Sequence, residues 1–440
     1  MKKIITIILC SVCCNVVATA QGTYTLDQLK QLAVENNYNL RSARNAIQQS
    51  KEVQSEAWTK YFPQVSALGF GFQNNKPMID LDIELPDAIA PLIPEGLIPA
   101  NISLMKKGVY GSVSAIQPVF MGGQIINGNK LAKVGVEASE LQLEASEDQV
   151  ELTTEQYYWQ MVSLKEKQQT LKAVFDMLTQ LEKDVTNMVR VGAVNRNDLL
   201  QVQLRKGEIE TAQLELENGL ATVSQLLAQH VGKTGEAIDV SVPDGISVRT
   251  VPALPVALRQ DHQTALAATP QYRLLEKNVE SHQLQHKMKV GQNMPNIGVG
   301  ASYSYNDFFD KSTSAMVFAA IQVPISGWWG GSHAIKKQKL ALQDAQEQMV
   351  DNGQKLIIRM NNAWAAVETS HKKLLIAHDA IEQAEENLRL NKDYYRVGST
   401  KMSDLLLAQQ QYQQARDRYT DAFADFQTKQ LEYRQATGQK

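Results

Sequence analysis

Cysteine, aromatic residues and excess basic charge are scarce in this chain, and each shortage excludes a class of protein. All three cysteines lie before position 15, so the other residues have no thiol for a disulfide, a nucleophile or a metal site. Lys and Arg number 44 against 47 Asp and Glu, which argues against nucleic-acid binding. With 7% aromatic residues and a mean hydropathy of −0.29, the chain is not a bundle of apolar membrane helices. It also has no Gly-rich phosphate loop and no G-x-S-x-G element, so the sequence does not indicate an enzyme, and no cofactor is expected.

The first twenty of the 440 residues have a composition of their own. Lys2 and Lys3 precede an apolar run over 4–9, and small residues follow up to Ala20. This pattern predicts a secretory signal over 1–20, because the run is too short to cross about 30 Å of hydrocarbon. The cysteines in this segment leave a lipoprotein signal as the alternative. We expect the protein to leave the cytoplasm.

An internal duplication organises the remaining residues. The segment 190–200 recurs as 396–406, with six identities in eleven positions and an offset of 206. Two pairs of prolines extend the duplication at different offsets: Pro118 with Pro324 at 206, and Pro63 with Pro295 at 232. The difference predicts an insertion of 26 residues in the first half. We expect a first repeat over 21–232, a linker over 233–255, a second repeat over 256–436 and a tail over 437–440.

Two unusually long helices dominate the prediction. Residues 124–189 and 332–395 are rich in Ala, Glu, Gln and Leu, and a helix of about 65 residues would run about 100 Å. Such lengths indicate coiled-coil packing. Apolar residues at alternating spacings of three and four predict its seams: Leu171, Val174, Leu178, Leu181, Val185 and Met188, and then Leu405, Ala408, Tyr412, Ala415, Tyr419, Ala422 and Phe426. Shorter helices are expected over 26–60 and 259–292.

Four segments change to a period of two and are predicted to be β-strands: 64–73, 109–118, 296–305 and 315–324. Leu68, Phe70 and Phe72 are interpreted as the apolar face of the first strand, and alternate residues from Ile297 to Tyr305 as that of the third. The pattern fits a transmembrane barrel, although a hairpin of a soluble protein would share it. Four strands cannot close a barrel, and an open edge in lipid leaves backbone groups unsatisfied. The strands would therefore join those of other copies, giving eight in a dimer or twelve in a trimer.

In these features the sequence resembles the TolC-like outer membrane factor family, also called outer membrane efflux proteins. The resemblance covers about 24–436. It is carried by the expected signal, the duplicated helix–strand–strand–helix–turn–helix plan, two R-V-G-x5-D-L-L turns, and Gly-rich strand exits at 121–123 and 327–331.

This resemblance implies a mainly α-helical protein with a small β part. Three copies would form a composite 12-stranded transmembrane β-barrel, continued by a long α-helical barrel in the periplasm of a Gram-negative bacterium. The implied partners are outer membrane lipid, a periplasmic adaptor protein and an inner-membrane transporter. The implied function is an exit duct for efflux or type I secretion. Residues 74–107 and 306–313 would be extracellular loops.

The resemblance also implies that the two turns are periplasmic tips on which the adaptor docks. The candidate docking residues are Arg190, Val191, Gly192, Asp198 and Leu199, and Arg396, Val397, Gly398, Asp404 and Leu405. Asp198 and Asp404 are also candidates for a pore constriction. A purely structural interpretation stays open, in which the glycines end one helix, Asn197 and Ser403 cap the next, and the aspartates lie in its favourable dipole field.

Two other interpretations are weaker. His282 and His286 have a spacing compatible with metal binding but lack a third ligand, and His371 and His378 are expected to be packing residues. A periplasmic coiled-coil scaffold or adaptor would explain the helices and the signal. It would leave the four strands unexplained.

Overall fold

The computed structural model describes residues 23–82, 101–243, 246, 251–307, 311–325 and 327–439. The expected signal over 1–20 lies outside these residues. The chain is mainly helical with a small β part. The α-helices among the described residues are α1 (Leu26–Asn36), α2 (Tyr38–Thr59), α3 (Gln124–Arg190), α4 (Arg196–His230), α5 (His262–Ala265), α6 (Pro270–Gly291), α7 (Gly327–Arg396) and α8 (Met402–Ala436). The strands in the same ranges are β1 (Thr23–Tyr24), β2 (Gln64–Gln73), β3 (Ile79–Asp82), β4 (Asn101–Leu104), β5 (Lys107–Met121), β6 (Asp239–Val240), β7 (Asn296–Asn306) and β8 (Ser312–Gln322).

The chain divides into two compact units, and each contains parts of both expected repeats. The first unit comprises the residues up to Ala43, Leu143–Thr269 and those from Lys355 onward. The second comprises Arg44–Gln142 and Pro270–Gln354. Among the described residues, no helix has an apolar stretch long enough to cross a membrane.

The predicted coiled-coil seams are confirmed in the first unit. Leu171, Val174, Leu178 and Val185 of α3 are at most 4% exposed and belong to one cluster with Val202 of α4. On α8 the members of the seam that are buried are Leu405, Ala408, Ala415, Tyr419 and Phe426. The spacing of three and four therefore marks the faces on which the long helices pack.

The shorter helices differ from their prediction, because each is broken at an equivalent position. Asn37 is extended (ψ 132°) between α1 and α2, and its Nδ2 donates to the carbonyl oxygen of His230 at 2.8 Å. Thr269 is likewise extended (ψ 134°) before Pro270, which disfavours helix in the residue that precedes it. Asn37 and Thr269 are 232 positions apart, so the break falls at equivalent positions of the two expected repeats.

A four-stranded antiparallel sheet in the order β2-β5-β7-β8 lies in the second unit. The two hairpins have equivalent registers, since Gln64 pairs with Ile116 and Asn296 with Gln322. These pairs reproduce the offsets of 232 and 206. The expected loop 74–107 contains a further hairpin of β3 and β4, while 83–100 lie outside the described residues. In the expected linker, β6 pairs in parallel with β1.

The sheet has one apolar face and one mixed face. Residues that pair directly across strands share a face. The apolar face carries Val65, Ala67, Val109, Val113, Ala115, Val299, Ala301, Tyr303, Tyr305, Ala315, Val317, Ala319 and Ile321. The other face carries a group of serines, in which the hydroxyl oxygens of Ser66 and Ser114 are 3.0 Å apart and those of Ser304 and Ser314 are 2.9 Å apart.

The predicted apolar face of β2 was wrong. Leu68 pairs with Ser112, so Leu68, Phe70 and Phe72 lie on the face of the serines. The alternation of large and small residues within β2 suggests that these large residues lie on the apolar face of the sheet. The register of β2 with β5 determines the face, and it places them on the other one. On the apolar side β2 presents Val65 and Ala67.

Candidate functional site

The two R-V-G turns have the same backbone. Gly192 and Gly398 each follow the end of a long helix with φ of +73°, the left-handed conformation that glycine adopts readily. Two hydrogen bonds close each helix end. The glycine amide donates the first, from Gly192 N to Val189 O at 3.1 Å and from Gly398 N to Tyr395 O at 3.0 Å, and the amide of the next residue donates the second. The amide of Ala193 donates to Met188 O at 2.8 Å, and that of Ser399 to Tyr394 O at 2.9 Å. This is the Schellman arrangement, so the prediction that the glycines end the helices is confirmed.

The predicted helix caps were wrong by two residues. α4 and α8 begin after Asn195 and Lys401, which are the N-cap residues and make no side-chain cap hydrogen bond. Asn197 and Ser403 already lie inside the helices, because the turns need fewer residues than the sequence interpretation allowed. Asp198 and Asp404 do lie in the first helical turn, where the helix dipole favours negative charge.

Most candidate docking residues at the turns are exposed. The apolar side chains of Val191 and Val397 are 77% and 74% exposed. The exposed polar and glycine positions are Arg190, Gly192, Arg396, Gly398 and Asp404. The two valines are therefore large apolar side chains exposed to solvent in the lone chain.

The two candidate leucines have a different environment. Leu405 is 3% exposed and Leu199 is half-buried, and both belong to the cluster that also contains Met402. Sequence reasoning missed Met402, which is 1% exposed. The leucines hold the turns in place, whereas the valines form the surface.

The structure brings the two turns together. Val194 and Leu199 from the first hairpin pack in the same cluster as Met402 and Leu405 from the second. Farther along the same helices, Arg205 Nε donates to Gln409 Oε1 at 3.1 Å, which joins α4 to α8. The ten candidate residues thus come from two turns that share one core.

The aspartates of the two turns, Asp198 and Asp404, have different surroundings. Asp404 accepts hydrogen bonds from Thr400 Oγ1 at 3.1 Å and from Ser403 Oγ at 3.3 Å. Burial, and then the nearby negative charge of Asp198, raises the pKa of the Tyr395 hydroxyl. Tyr395 was missed from the sequence; its equivalent in the first repeat is Val189, and that difference between the repeats is the only signal of it.

The histidines that were predicted to pack do so. His371 Nε2 is 2.9 Å from the carbonyl oxygen of Pro252, and its ring lies 5.3 Å from that of Phe426. Within the described ranges, no group of three or more His, Cys, Asp or Glu side chains is placed to hold a metal ion.

Comparison with known proteins identifies the class of this fold. Residues 262–439 match the family model described as outer membrane efflux protein. No curated protein matches the sequence. The chain is similar in fold to the outer membrane protein VceC of Vibrio cholerae, with a TM-score of 0.75 and 14% identity over 94% of this chain and 96% of that one.

Two further structures have the same fold. One is the CmeC outer membrane channel of Campylobacter jejuni, with a TM-score of 0.75 and 14% identity over 94% of this chain and 85% of that one. The other is the open state of the MtrE outer membrane channel of Neisseria gonorrhoeae, with a TM-score of 0.72 and 16% identity over 94% and 89%. The resemblance to the TolC-like outer membrane efflux protein family is thereby confirmed, in sequence over residues 262–439 and in fold over 94% of the chain.

Proposed function

We propose that this protein is the outer membrane channel of a tripartite efflux or type I secretion system and conducts substrates passively from a pump to the exterior. The observation that carries this proposal is the sheet of the second unit. Within the described part of the chain, β2 and β8 are the edge strands of an open four-stranded sheet, and one face of that sheet is apolar.

Such a sheet is suited to a membrane only as part of a closed barrel. Unpaired backbone groups at an edge cost several kcal/mol each in lipid, so β8 of one copy must pair with β2 of another. Three copies would supply twelve strands. The apolar face would then contact outer membrane lipid, and the face with the serines would line a water-filled interior.

The turns are the proposed contact with the rest of the system. Val191 and Val397, which protrude into solvent, would be held by a periplasmic adaptor, and the adaptor would connect the channel to an inner-membrane transporter. Asp198 and Asp404 are the proposed constriction of the pore. Leu199 and Leu405 would support this surface from below, because they belong to the core.

Membrane fractionation tests the proposal against a periplasmic scaffold. The full-length protein should sediment with outer membranes and migrate as a large species in unheated gels that heating converts to single chains. A protein found in the soluble periplasmic fraction, with the same mobility before and after heating, would instead be a scaffold or adaptor.

A further inference from the structure

One interface between the repeats lies inside the second unit. There α6 of the second repeat packs antiparallel to the start of α3 of the first. Three contacts define its register: Lys277 Nζ lies 2.6 Å from Glu137 Oε2, a Cβ added to Gly128 would lie 3.7 Å from Met288 Cε, and a Cβ added to Gly291 would lie 3.2 Å from Gln124 Cγ. In each pair the two residue numbers add to about 415, so one register describes the whole interface.

The duplication shows which surfaces are the counterparts of this interface. Subtracting 232 from the residue numbers of α6 gives those of α2, and adding 206 to the residue numbers of α3 gives positions in α7. In the lone chain most residues of both counterpart faces are exposed. On α2 they include Asn45, Gln49, Glu52, Glu56 and Thr59, and on α7 they include Gly330, His333, Lys337, Leu340 and Gln343. The contrast is clearest at Val134, which is 5% exposed, and its counterpart Leu340, which is 56% exposed.

The chemistry of the two surfaces differs at their centre. The register places Leu284 of α6 at the level of Leu131 of α3, and Leu284 is 6% exposed. The counterparts of these two leucines are Glu52 and Lys337, which are opposite in charge and exposed. One helical turn away, the same two offsets and the same register place Glu56 of α2 at the level of His333 of α7.

We propose that α7 of one copy docks on α2 of the next in this register, with Lys337 paired to Glu52. This inference rests on the proposed multi-copy channel. The occupant of each exposed face is therefore a second copy of this chain. Charge complementarity also favours this pairing over an exchange of partners between the repeats: a misplaced α2 would set the carboxylate of Glu52, which accepts from Gln48 Nε2 at 3.0 Å, against the apolar side chain of Leu131 instead of the ammonium of Lys337.

The strands support the same arrangement. The β5–β7 pairing of Ser112 with Ser304 becomes, by the same offsets, a pairing of Phe318 on β8 with Phe72 on β2 of the next copy. Directly opposed aromatic residues stabilise an antiparallel pair.

Cysteine cross-linking tests the register directly. The full-length protein with Glu52→Cys and Lys337→Cys, oxidised in isolated outer membranes, should form covalent dimers and trimers in non-reducing gels. The matched control is Glu52→Cys with Lys336→Cys, because Lys336 is a neighbouring exposed lysine that points about 100° away around the helix. We expect at least fivefold more covalent oligomer from the first pair than from the control pair.

Charge reversal provides an independent readout. Lys337→Glu should reduce the unheated oligomer at least fivefold, Lys336→Glu should leave it unchanged, and Glu52→Lys combined with Lys337→Glu should restore it. An oligomeric wild-type protein whose 52/337 pair cross-links no better than the control, or whose charge swap fails to restore assembly, overturns the register but leaves the channel proposal standing. A wild-type protein that stays a single chain in membranes overturns both.

Discussion

Replacing Gly398 with alanine should destabilise the turn between α7 and α8 by about 1–2 kcal/mol, which is the cost of a left-handed conformation for an L-residue. The structure isolates this cost. Gly398 has φ of +73°, and an added Cβ would meet no atom within 4 Å, so the methyl group adds no steric repulsion. Gly207 is the matched control. Its added Cβ also meets nothing within 4 Å, but it lies inside α4, where alanine is favoured over glycine by about 0.5–1 kcal/mol.

The same substitution should therefore have opposite signs at the two glycines. Thermal unfolding of the purified protein, followed by helical circular dichroism, should give a lower Tm for Gly398→Ala and a higher Tm for Gly207→Ala. The bulkier Gly398→Val should also lose adaptor cross-linking and export while the oligomer stays in the membrane. A Tm that shifts in the same direction for both alanine variants would refute the backbone argument, and normal adaptor cross-linking by Gly398→Val would refute the docking role.

Three further predictions separate the core, the surface and the sheet. Leu405→Ala should cost about 2–5 kcal/mol of unfolding free energy because a buried side chain is lost. Val397→Ser should change the unfolding free energy by less than about 0.5 kcal/mol and yet weaken adaptor cross-linking. Equal losses of stability in the two variants would contradict the division into core leucines and surface valines. Burial lowers the pKa of His230 below its ordinary value of 6.5, and the contact of the ring with the Val150 carbonyl partly opposes this shift. The stabilising contribution of His230 is therefore complete above pH 6.5 and is lost as the pH falls. Denaturant titrations should show that His230→Gln flattens the pH dependence of the unfolding free energy. Val317→Arg on the apolar face should reduce outer membrane insertion, at a cost of up to about 2–4 kcal/mol. Ser304→Arg on the opposite face should insert normally in fractionation assays. The reverse ranking of the two variants would mean that the two faces of the sheet are assigned the wrong way round.

Local patterns were sufficient to predict the long helices, the strands and the glycine turns. A seam such as Leu171 to Val185 repeats every three or four residues wherever a helix packs on another, and that regularity is visible without a structure. The two copies of the turn reinforced one another, because chance agreement at a fixed offset is rare.

Features that depend on distant partners could not be predicted. The break at Asn37 is held by a hydrogen bond to His230, 193 positions away. The face of Leu68 is decided by the register with Ser112 rather than by the alternation within β2. The proximity of Tyr395 to Asp198 likewise requires two hairpins from different repeats to meet. Each case rests on a tertiary contact that leaves no trace in local composition.

In the proposed assembly, copies of this chain complete one another's sheet and enclose water. Recording current across a planar lipid film after adding the purified, unheated protein shows whether they do. We expect discrete, stepwise ion conductance that disappears when the protein is heated to single chains beforehand. A film that stays electrically silent, although the protein has inserted, would contradict it.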